Sequence, residues 1–142
     1  MYKSLVPLRT ISTVMSVCAL GFLLATAAHA QVPRLTDLVI SDSKDGPDMN
    51  VFKPVTPKIY VTASLKDVPV GTKITSRWIA EQIRVVLPNF EIDSVDTVIG
   101  PSMNWASFAL AKPTIGWPTG EYRVELLIEG KLAETVRFKV AL

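Results

Sequence analysis

Cysteine and histidine are almost missing from this sequence. Its 142 residues hold one of each, Cys18 and His29, and both precede residue 31. A chain cut after residue 30 would form no disulfide. It would also offer no thiol nucleophile or imidazole base, and no cysteine or histidine to a metal. No cofactor motif is present. Charge of one sign is also lacking: once Lys3 and Arg9 are set aside, 13 basic residues face 13 acidic ones. The bases are scattered singly among acids and form no stripe along which phosphates would replace counterions, which argues against nucleic acid. Helical periodicity is absent after residue 30 as well.

The first segment has the three-part build of a secretory signal. Lys3 and Arg9 make a positive start, and no acidic residue precedes Asp37. An apolar stretch runs from Val14 through Ala28, and Ala28-His29-Ala30 offers the small-x-small pattern of a signal peptidase site. Residues 1–30 therefore read as a leader cleaved before Gln31, giving a periplasmic or secreted protein. The rival is an uncleaved anchor, because residues 11–28 approach the roughly 18 apolar residues needed to span a bilayer. A membrane would be met only through that leader. A lipoprotein is excluded by Cys18, which sits inside the apolar stretch and not at its end.

Residues 31–142 suffice for one domain and its core. Period-two alternation predicts strands over 36–41, 58–65, 73–80, 91–99 and 104–111, with turn residues at short intervals. Residues 81–87 fit either a further strand or one helical turn. The strongest alternation comes last. Tyr122, Val124, Leu126 and Ile128 share one face, Glu129-Gly130 suits a primed two-residue hairpin turn, and Leu132, Val136, Phe138 and Val140 share a face on the way back. Glu134 falls on that apolar face and marks a bulge or an edge. Seven or eight short strands argue for an all-β sandwich.

With the strands placed, the chain resembles the immunoglobulin-like β-sandwich modules of exported bacterial proteins. Trp78, aligned with Ile74, Ser76 and Ala80, looks like the core tryptophan of that fold. The run Gly116-Trp117-Pro118-Thr119-Gly120-Glu121-Tyr122-Arg123-Val124 looks like the opening of its penultimate strand. The resemblance implies that the Tyr122 hydroxyl bonds back to the preceding turn through Gly120. Trp117 reads as a plug for that turn. The inter-sheet cysteine pair of antibody domains is absent, so that subgroup is excluded. Such sandwiches host many functions. The resemblance implies adhesion, assembly or ligand presentation more often than catalysis.

Few side chains stand out as sites. Asp42, Asp45 and Asp48, with Asn50, make an oxygen-rich loop, but the spacing does not match an EF-hand. It reads as a solvated turn, with calcium as the weaker alternative. Asp93 and Asp96, three apart on a strand, point to opposite faces and cannot flank one bond. Trp105, Tyr60 and Leu127 each have parity opposite to their apolar neighbours, which makes them candidates for an outward, binding face. A bulge near Asn104 would instead turn Trp105 inward. The reading is of an exported, non-enzymatic accessory module that engages a protein partner in the envelope by its outward aromatics or an exposed sheet edge. A carbohydrate-binding module using the same aromatics is the alternative, and a small carboxylate-dependent hydrolase ranks behind it.

Overall fold

Alternating β-branched and polar residues, interrupted by proline and glycine, give eight strands and no helix among the described residues. A computed structural model describes residues 29–142. All but the last two residues of the leader read at 1–30 therefore lie outside the described residues.

The strands are β1 (Arg34–Ser41), β2 (Val51–Phe52), β3 (Lys58–Lys66), β4 (Lys73–Ile83), β5 (Phe90–Val98), β6 (Trp105–Ala111), β7 (Gly120–Ile128) and β8 (Lys131–Val140). They form two sheets, one ordered β1-β3-β6 and the other β2-β8-β7-β4-β5. All pairings are antiparallel except β2 with β8. The two sheets face each other. Ile59, Val61 and Ala63 of β3 with Ala106 and Phe108 of β6 supply one inner layer; Ile74, Trp78, Ala80, Val124 and Leu126 supply the other. Side chains of alternate residues thus go from water to a dry interface, which is the main stabilising term.

Aromatic rings close one end of this core. Phe138 is the hub: Tyr122 stacks on it at 5.0 Å and 8°, and the rings of Phe52, Trp78 and Trp117 meet its edge or face at 5.6, 6.3 and 6.3 Å. The Tyr122 hydroxyl donates to the Pro118 carbonyl at 2.6 Å. Burial pushes its pKa up to about 12. The Trp117 indole is buried too, and its Nε1 donates to the Thr56 carbonyl at 2.9 Å. Gly120, at φ 145°, lets β7 start directly against β4, because a side chain there would strike the Gln82 carbonyl oxygen.

Four register shifts interrupt the simple alternation: one leaves Ile92 as the extra residue of β5, between Trp78↔Asp93 and Ile79↔Glu91, and the other three bear on what parity predicts. On β8 the register passes from Leu127↔Leu132 to Leu126↔Glu134, leaving Ala133 as the extra residue. Leu132, expected on the apolar face, is consequently turned out and 59% exposed. On β4 the extra residue is Glu81, between Ala80↔Tyr122 and Gln82↔Glu121. The ambiguous stretch 81–87 is thus the end of β4 followed by a turn, with no helical turn in it. On β1, Asp37 takes φ 49° inside a third irregularity, and the strand begins at Arg34, two residues earlier than the alternation alone indicates. The Glu129-Gly130 hairpin has φ 48° and 78°, the doubly positive pattern of a type I′ turn.

Candidate functional site

Tyr60 and Trp105 lie on the same surface, the outer face of the three-stranded sheet. Tyr60 pairs with Ala109 and Ser64 with Trp105, so the two rings are separated by four residues along neighbouring strands, about 13 Å. No bulge turns Trp105 inward; it is 47% exposed. Between the rings lie Thr62, Ser64 and Ser107, with the Thr62 hydroxyl 3.5 Å from that of Ser107. Small side chains there leave a flat floor. Lys58 Nζ lies 5.9 Å from the centroid of the Tyr60 ring and Lys44 Nζ 6.0 Å from that of Trp105, at the limit of a cation–π contact.

Leu127 is not part of this surface. It lies on the outer face of the other sheet, half-buried between Thr75 and Leu132 in the register. Parity identified it as outward-facing but could not say outward from which sheet. That second face is occupied by a network of opposite charges. Arg77 holds Glu91 at 2.9 Å and Glu125 at 3.5 Å; Arg123 holds Glu125 at 3.6 Å and Glu81 at 3.9 Å; Arg137 holds Glu81 at 3.4 Å. The bulge at Glu81 lets one carboxylate serve two guanidiniums. Each of these carboxylates is committed to at least one guanidinium on an open sheet surface.

The acidic loop after β1 serves the backbone. Asp48 Oδ1 accepts the Ile40 N–H at 2.9 Å, and the Met49 N–H donates to the Ile40 carbonyl at 2.7 Å, which ties the loop back along β1. Asp42, Asp45 and Asp48 are exposed, and among the described residues no three His, Cys, Asp or Glu side chains converge as metal ligands. Asp93 pairs across from Trp78 and Asp96 from Thr75, on opposite faces of β5 as expected.

A second surface escaped sequence reasoning. Residues 84–89 and 112–119 enclose a cavity of about 120 Å³ at one end of the sandwich, lined only by apolar residues, among them Ile83, Val86, Ile92, Pro113 and Pro118. Around it Val85, Leu87 and Ile115 are 66, 82 and 89% exposed. Strand parity says nothing about loop residues. The available signal was their setting: aliphatic side chains within proline-bearing loops, where no sheet face would bury them.

This architecture has counterparts among solved structures. An immunoglobulin-like protein of Pseudomonas aeruginosa superimposes with a TM-score of 0.54 over 80% of this chain and 99% of its own, at 15% identity. The fold is immunoglobulin-like. The alkylpurine DNA glycosylase AlkC of Pseudomonas fluorescens, solved bound to DNA with an abasic site analogue, matches 78% of this chain but 30% of its own, with a TM-score of 0.46 and 11% identity. The sequence matches no family model and no curated protein. At these identities the likeness concerns the fold alone.

Proposed function

We propose that this chain is an exported, non-enzymatic immunoglobulin-like module that engages a protein partner in the cell envelope through the outer face of its three-stranded sheet. The observation that carries the reading is Trp105, half exposed on a flat hydroxyl-lined floor that it shares with Tyr60. Tyrosine and tryptophan bring large, rigid contact area with a polar handle, and they dominate binding hot spots. The opposite face supports the choice, because its arginines and glutamates already satisfy one another. Pairing at the β5 edge is a poorer route, since that strand carries Glu91, Asp93 and Asp96, charges by which edge strands resist augmentation. Export rests on the composition of residues 1–30. The non-enzymatic character rests on the lack of cysteine and histidine after residue 30 and on carboxylates engaged by guanidiniums.

A photo-crosslinking side chain at Ser107, between the two rings, tests this in envelope fractions of the source cells. The expected result is a discrete protein adduct that disappears in the Tyr60→Ala/Trp105→Ala variant. Equal labelling from a crosslinker at Ser94, on the opposite sheet, would refute it. The lysine–aromatic pairs and the Thr62 and Ser107 hydroxyls favour a second reading, in which the rings stack on sugars. Binding to a glycan array that Trp105→Ala abolishes, without any protein adduct at 107, would assign the face to carbohydrate.

A further inference from the structure

Three loops meet at the end of the sandwich where β3 begins, β4 and β6 end and β7 begins: 53–57, 84–89 and 112–119. The first and third are joined by the Trp117 N–H donating to the Pro54 carbonyl and the Trp117 indole donating to the Thr56 carbonyl, both at 2.9 Å. The second and third share the apolar cavity. These loops contain no aspartate or glutamate, and each brings one base: Lys53, Arg84 and Lys112. Among the described residues no carboxylate lies within 4.0 Å of any of the three, whereas the arginines of the β4–β7–β8 face are all paired. The acidic loop after β1 is tied to Ile40 by Asp48 and Met49, and its Lys44 reaches Trp105 at the far end of β6. Val55, Val85, Leu87 and Ile115 project from the same end and are mostly exposed. Scattered exposed aliphatics are ordinary, but four on one contiguous tip are not.

We infer that this tip docks on a bilayer bearing anionic phospholipid headgroups, with Val55, Val85, Leu87 and Ile115 entering the headgroup–acyl boundary and Lys53, Arg84 and Lys112 meeting phosphates. The shape favours a fluid layer over a protein groove. The aliphatic side chains stand proud, the cavity beneath them is small, and Phe90, 51% exposed beside Val85 and Leu87, adds a ring of the kind that enters the headgroup–acyl boundary. Prolines 54, 57, 88, 113 and 118 stiffen the loops, so little entropy is lost on docking. Residue 34 lies at the opposite end, beside Lys66, so contact through the tip is independent of the leader and leaves Tyr60 and Trp105 facing sideways.

Among the described residues, 31–142 carry every strand and every core side chain, and a single cooperative urea transition qualifies that segment for the test. Co-sedimentation is measured with vesicles of phosphatidylcholine alone and with added phosphatidylglycerol. Binding to the anionic vesicles, falling as salt rises, is expected. Lys53→Gln/Arg84→Gln/Lys112→Gln should weaken it on the order of a hundredfold, about fivefold per cation. Leu87→Ser/Ile115→Ser should weaken it at least about tenfold, while Leu132→Ser, an exposed leucine at the other end, leaves it unchanged. Absence of binding to anionic vesicles, or equal losses from the Leu132 variant, would overturn the inference. So would self-association without vesicle binding that disappears in the Leu87/Ile115 variant, which would give the tip to a second copy of the chain.

Discussion

Replacing Tyr122 by phenylalanine removes one oxygen and keeps the ring that stacks on Phe138 at 5.0 Å. The lost atom donates to the Pro118 carbonyl at 2.6 Å, and the carbonyl would be left without that partner. The cost near neutral pH should be about 1–2 kcal/mol. The same oxygen makes the wild type sensitive to alkali. Burial raises its pKa from 10.0 to about 12, so between those values an unfolded chain releases a proton that the native chain keeps. The hydroxyl's contribution is whole below pH 10 and is lost as pH rises towards 12, by about 3 kcal/mol in all. Urea unfolding of both proteins at pH 8, 10, 11 and 11.5 isolates the effect, since every other titrating group is common to the two. The wild type should lead at pH 8, and by pH 11.5 the gap should close or reverse. A difference that stays constant over this range would refute the buried, hydrogen-bonded placement of Tyr122.

Two further substitutions probe the same core. Gly120→Ala puts a methyl group against the Gln82 carbonyl and 2.6 Å from Ile83 Cγ2 at φ 145°; equilibrium unfolding should show a loss of about 3 kcal/mol or more. Ser76 is fully buried and its hydroxyl has no hydrogen-bond partner among the described residues. Ser76→Ala should therefore raise stability by about 1 kcal/mol, read as a higher urea midpoint with an unchanged slope.

Residues 120–140 were the most legible part of the fold, because strict alternation, a glycine turn and aromatic spacing all point to one hairpin. The face made by Ile74, Ser76, Trp78 and Ala80 was equally plain, and these four are buried together. Leu132 misled because a bulge is a property of two strands: the extra residue, Ala133, is visible only against Leu126 and Leu127 of the partner. β2 went unread because two residues have no period, and its parallel pairing with Lys139 and Val140 is a long-range choice. For the candidate site, parity placed Tyr60, Trp105 and Leu127 outward, but only sheet order separates the first two from the third. The tip loops lay beyond any periodicity argument. Their apolar character is local, whereas their convergence depends on which strand ends the fold brings together.

Oxidative footprinting of tryptophan, carried out on purified protein and on protein in its native envelope fraction, tests the binding face most directly. Trp78 and Trp117 are sealed in the core and should stay unmodified in both. Trp105 should react readily when purified and be protected in the envelope. Equal reactivity of Trp105 in the two samples would contradict the assignment of this face to a partner.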